Sequence, residues 1–374
     1  MSKLVIRNRY IYLFLIQALT VLLLYKFLPG RVPLTQTAFQ PDSINSLCMG
    51  ISRFQTNIDS INHILDSIAK TFYADGYQLA CSLEITPPYR TRLFLSFLIG
   101  MFSLLGPWWF VLLPSIIIYF ALGFIYWLII NRYHKNLTIK ELIWYVPFLS
   151  PHIGWFLANV MTEGPLLFFL LLISYITYVN QIQKRSVELL LIGVLGVLSL
   201  FIKQSWPLVA LVLASYLIER FKGSKKFNLY VFSLGATFLA SIFVKKIGGM
   251  LYGNDFGKWN DLAVFVDPAG AIKGVLLGIR YDAIHLFTFW DPFGVVGICG
   301  AIWIIGFKIR NWQIRLTLIG AAGWGFATMG SVYLADGSFG QNWRFLVFAI
   351  FLAYPLYLID KNHHSETISG EKSH

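Results

Sequence analysis

The sequence predicts an all-α fold, a polytopic transmembrane helical bundle of about ten spans with amphipathic surface helices in its first outer loop. Three observations predict it. The 374 residues are 57% hydrophobic and only 13% charged, whereas soluble chains usually carry about a quarter charged residues. Apolar stretches near the ~20 residues needed to cross hydrocarbon recur along the whole length. Lysine and arginine concentrate in alternate connecting loops, as they do when those loops are cytoplasmic.

The chain begins MSKLVIRNR and continues apolar to about Pro29. That stretch is too long for a signal-peptide core and has no A-x-A-like cleavage site, so it reads as an uncleaved anchor with its N-terminus in the cytoplasm. Further spans are expected at about 107–131, 141–160, 164–180, 187–202, 204–219, 228–246, 292–307, 314–333 and 345–360. With the N-terminus inside, 17 of the 30 Lys and Arg fall in short cytoplasmic pieces, and the other 13 spread over much longer outer loops. Of the 18 acids, 12 fall outside. Both termini are therefore expected in the cytoplasm, in a multi-pass protein of the bacterial inner membrane or its equivalent. The net charge of +12 is mostly a record of topology. No basic soluble face exists for nucleic acid.

Residues 1–374 form one integral membrane domain in this reading, with two long non-cytoplasmic loops at 30–106 and 247–291 and a cytoplasmic tail at 361–374 that is expected to be disordered. In the first loop Ile58, Ile61, Ile64, Leu65 and Ile68 have helical spacing. Arg92 to Leu105 is apolar but short, lies between Pro87-Pro88 and Gly106-Pro107, and reads as a helix along the membrane surface. A similar piece is expected at about 270–288, ending in Trp290-Asp291-Pro292. Cys48 and Cys81 share the first loop, where a disulfide between them is open; Cys299 lies in an apolar run, and the three make no metal or redox motif. His63, His152 and His285 have no metal-ligand spacing.

The residues best suited to chemistry lie in YADGYQLACSLEITPPYRTRLFLSFL, where Asp75 and Tyr77 precede Arg90 and Arg92 at the start of the surface helix. Transfer of a sugar from a lipid phosphate needs a carboxylate to take the acceptor's proton and cations to stabilise the departing phosphate. Arginine suits the second task because its fork binds phosphate oxygens in pairs. The plain alternative is that Asp75 caps a turn while the arginines meet lipid headgroups.

The order of features resembles the GT-C superfamily of membrane glycosyltransferases, which use polyprenyl-phosphate sugars. The resemblance covers most of residues 9–360 and rests on the PPYRTRL approach to the surface helix, on MTEGPLLFFLLLISYITYV from Met161, on VLSLFIKQSWPLVALVLASYLIERF with its polar break at Lys203, and on GQNWRFLVFAIFLAYPLYLID, where Arg344 leads the closing span. It implies a mannosyltransferase-like enzyme whose base is an outer-loop aspartate. Two positions compete: Asp75 matches the spacing to the PPYRTRL segment and is preferred, and Asp42 matches the placement after the first span. Neither has an acidic neighbour, a departure from the family pattern, so no cofactor is assigned and a divalent cation is left open.

Glu163, at a span end after Thr162, could orient the acceptor, bind a cation or act as a second acid, or it could simply be a favourable acid at a helix N-terminus. Arg90, Arg92, Arg344 and Lys203 are the donor-phosphate ligands in this reading, with snorkelling an equal account of Lys203. The expected partners are a polyprenyl-phosphate-linked sugar, membrane lipid, and a glycan, lipid or protein acceptor. The competing functions are a transporter or flippase, and a polymerase, of lipid-linked glycan intermediates.

Overall fold

A computed structural model describes residues 2–22, 41–72, 93–133, 145–150, 154, 157–160, 162–178, 185–202, 266–288, 291–337 and 343–371. These residues are helical with no strand, as the composition predicts. The helices are α1 (Ser2–Leu22), α2 (Pro41–Phe54), α3 (Ile58–Phe72), α4 (Leu93–Ser103), α5 (Leu113–Tyr133, preceded by the 3-10 turn Trp108–Leu112), α6 (Val146–Leu149), α7 (Glu163–Tyr178), α8 (Arg185–Ile202), α9 (Pro268–Thr288), α10 (Pro292–Trp303), α11 (Trp312–Asp336) and α12 (Trp343–Glu371). A π-helical turn, Ile304–Lys308, closes α10.

Among the described residues one continuous helix, Trp108–Tyr133, is by itself long and apolar enough to cross a membrane, and five shorter apolar helices accompany it. Half of its most apolar window is buried and half is open to the surroundings. Apolar side chains likewise face outward from α1 (Leu15, Leu19), α8 (Leu190, Val194) and α10 (Val296, Ile302). The expected spans at 204–219 and 228–246 lie outside the described residues.

Two apolar clusters organise the molecule. The larger joins α1, α5, α7, α10, α11 and α12. At its centre the Phe148 ring meets Phe351 edge-on at 4.9 Å and Tyr126 at 5.1 Å, so α5, α6 and α12 share one aromatic contact. The smaller cluster is built by three helices: Ile44, Leu47, Cys48 and Ile51 of α2, Ile64, Leu65 and Ile68 of α3, and Leu95 and Ile99 of α4. The helical spacing seen in the sequence is thus used as expected for Ile64, Leu65 and Ile68, while Ile58 is left exposed. α2 and α4 cross backbone to backbone, since a Cβ on Gly100 would lie 2.5 Å from the Gly50 carbonyl oxygen. The chain leaves this layer at Gly106, whose φ of +105° favours glycine.

Two expectations are corrected. The stretch 141–160 is not one continuous helix: α6 is a single turn, Ser150 is extended at ψ 115°, and residues 159–160 are bent. Its prolines explain the break, because Pro151 disfavours helical backbone at Ser150. The tail is not irregular, because α12 continues to Glu371, and no proline follows Pro355 to stop it.

Candidate functional site

The interrupted segment between α6 and α7 carries a group of buried polar side chains. Its described side chains Ser150, Asn159, Thr162 and Glu163 are all buried. Outside a helix the backbone loses its internal hydrogen bonds, and at membrane depth such backbone persists only inside protein or beside a wet cavity.

Each end of the segment is marked by a buried carboxylate. At the first, the Ser150 hydroxyl donates to Asp291 Oδ2 at 2.6 Å. Asp291 Oδ1 accepts from the Gly294 N–H at 2.8 Å, so the same side chain caps α10, which starts on Pro292. At the other end Glu163 begins α7 and is 1% exposed, with the Thr162 hydroxyl donating to its Oε2 at 3.4 Å. Close packing fixes that turn, since a Cβ on Gly164 would lie 2.4 Å from the Leu157 carbonyl oxygen.

The middle of the segment meets α1 and α5. Thr20 donates to the Phe148 carbonyl at 3.4 Å, and Gly154 lies against Thr20 and the Tyr119 hydroxyl. Gln17 donates to the Tyr119 carbonyl at 2.7 Å from a notch that Gly123 leaves open. Val160 belongs to the smaller apolar cluster, which seats α2, α3 and α4 against a position three residues from Glu163.

Of the residues singled out from sequence, Glu163 falls in this segment. Asp42 stands in the first turn of α2 and Arg344 in the first turn of α12. Asp75, Arg90, Arg92 and Lys203 lie outside the described residues. Comparison with protein-family models, with curated proteins and with solved structures finds no match for this chain. Function therefore has to be argued from the residues themselves.

Asp291 is the site residue that sequence reasoning missed. Its only local signal is an aspartate before Pro292 at the start of an apolar run, the mark of a helix cap. Among the described residues no three His, Cys, Asp or Glu side chains gather to hold a metal. Cys48 is disulfide-bonded and Cys299 carries a free thiol, while Cys81 lies outside the described residues.

Proposed function

We propose that this protein is a membrane glycosyltransferase that moves a sugar from a polyprenyl-phosphate donor to an acceptor hydroxyl at the non-cytoplasmic face. The observation that carries the reading is Glu163, an acid 1% exposed at the end of a buried, interrupted segment and beside the cluster formed by the outer-loop helices. An ionisable group held inside an apolar bundle is costly and marks a functional position. The bonded Cys48 supports the reading, because disulfides persist in oxidising compartments such as a non-cytoplasmic loop 30–106 would face, the side that the distribution of Lys and Arg also favours.

In the proposed reaction the acceptor hydroxyl gives its proton to the Asp75 carboxylate as its oxygen bonds to the anomeric carbon. The bond from that carbon to the phosphate oxygen breaks, and its electron pair leaves on the phosphate. Arg90, Arg92 and Arg344 stabilise the departing charge, with Lys203 alongside. Glu163 orients the acceptor from below.

A second reading, a transporter or flippase of lipid-linked intermediates, is favoured by the interrupted segment itself, because broken helices with buried carboxylates also build transport sites. The deciding experiment presents the full chain in nanodiscs with a radiolabelled polyprenyl-phosphate sugar and a panel of acceptors. Asp75→Asn is expected to reduce transfer by about 10²–10⁴, and Glu163→Gln to raise the acceptor KM, with both proteins folded. If Asp75→Asn keeps full activity while Asp42→Asn loses it, the base is Asp42. If labelled donor crosses liposomes without forming any product, the transferase reading fails and the transporter reading replaces it.

A further inference from the structure

We infer that the corner formed by the π-helical turn, the start of α11 and Asp360 of α12 is a binding site for anionic phospholipid headgroups of the cytoplasmic leaflet. The inference rests on the chain lying in a bilayer and is independent of the transferase reading.

The corner gathers cations and withdraws its acid. Lys308, Arg310 and Lys361 are exposed and Arg315 is partly exposed. Among the described residues none of the four makes an ion pair. The carboxylate beside them, Asp360, is buried and faces inward, accepting from the Arg310 N–H at 2.7 Å and the Asn311 N–H at 2.9 Å. It ties α12 to the loop while leaving the outer face positive. The Arg315 guanidinium donates to the Ile309 carbonyl, which holds that cation under the same turn.

Rings frame the cations. The Lys308 ammonium sits 4.3 Å over the Trp303 ring, and Trp303, Phe307 and Trp312 are all largely exposed, Phe307 at 77%. The π turn gives the helix an added residue at this point and presents Phe307 and Lys308 together on its outer side. Exposed aromatics settle at the boundary between headgroups and hydrocarbon. Cations placed beside them lie at the depth of lipid phosphates, and a juxtamembrane Lys or Arg contributes measurably to binding anionic lipid.

The test uses the full chain in nanodiscs of phosphatidylcholine with a minor fraction of phosphatidylglycerol, and reads the association of spin-labelled lipid. Labelled phosphatidylglycerol should associate several-fold more than labelled phosphatidylcholine. The preference should fall stepwise, by up to about fivefold per cation, to parity with phosphatidylcholine across the series Lys308→Gln, Arg310→Gln and Lys361→Gln, and should persist when the same three are exchanged as Lys308→Arg, Arg310→Lys and Lys361→Arg. Equal association of the two lipids, an unchanged preference in the glutamine series, or loss of preference in the charge-conserving series each overturns the inference. Inorganic phosphate should displace labelled phosphatidylglycerol no better than chloride at equal ionic strength. Selective displacement by phosphate would show a site for the free anion, and the lipid inference would fail.

Discussion

At Asp291 one carboxylate completes two buried contacts, taking the Ser150 hydroxyl with one oxygen and the Gly294 N–H with the other. Removing it takes this acceptor from two buried donors. Asp291→Ala is therefore expected to cost about 2–4 kcal/mol, and Ser150→Ala about 1–2 kcal/mol, less than the sum because they share one bond. Thermal unfolding of the two variants and the double variant checks this, and a coupling of about 0.5–3 kcal/mol is expected. Glu163 was legible in the sequence because an acid directly precedes an apolar run. Asp291 was not, because its role depends on Ser150, which stands 141 residues away in the chain. Nothing in the local spacing of either residue announces the other.

At the scale of the element, hydropathy located α5, α7, α8, α11 and the apolar part of α12 close to where they lie. It failed at 141–160, because an apolar average is indifferent to whether Pro147 and Pro151 permit a helix. The helix α4 was legible as an apolar run between proline and glycine borders, whereas α2, its packing partner, starts on Pro41 with a mixed polar sequence and was missed. Helices in lipid gain little from apolar burial and associate through close packing and hydrogen bonds. The contact of α1 with α5 is of that kind, with Gln17 lodged against Gly123. Gly123→Leu should expel Gln17 and release α1 while leaving α5 helical. A site-directed crosslink between the two helices, formed in the parent protein and lost in the variant, is the expected outcome.

At the scale of the whole molecule, among the described residues, one apolar cluster holds the bundle and a second holds α2, α3 and α4, and Val160 joins the second to the interrupted segment. The sidedness that the sequence assigns can be read with two cysteines. In intact cells a membrane-impermeant maleimide should leave the buried, bonded Cys48 unlabelled, and thiols freed by reduction and unfolding of the 30–106 loop should be labelled only from the non-cytoplasmic side. Cys299 is exposed on α10 and free, yet it should resist the same reagent until detergent removes the lipid around it. Cys48→Ser should cost about 2–5 kcal/mol of stability, read as a lower unfolding temperature. Labelling of Cys299 in the intact membrane would contradict the orientation of α10 toward lipid.

The bond from Ser150 to Asp291 also bears on how the protein is made. A ribosome has delivered the interrupted segment to the translocon well before residue 291 is synthesised, so Ser150 spends that interval without its eventual acceptor. Early helices must wait for α10 before the interior is complete. Nascent chains arrested short of residue 291 should consequently be recognised and degraded faster than those arrested just beyond α10, and a pulse-chase of the two truncations measures the difference.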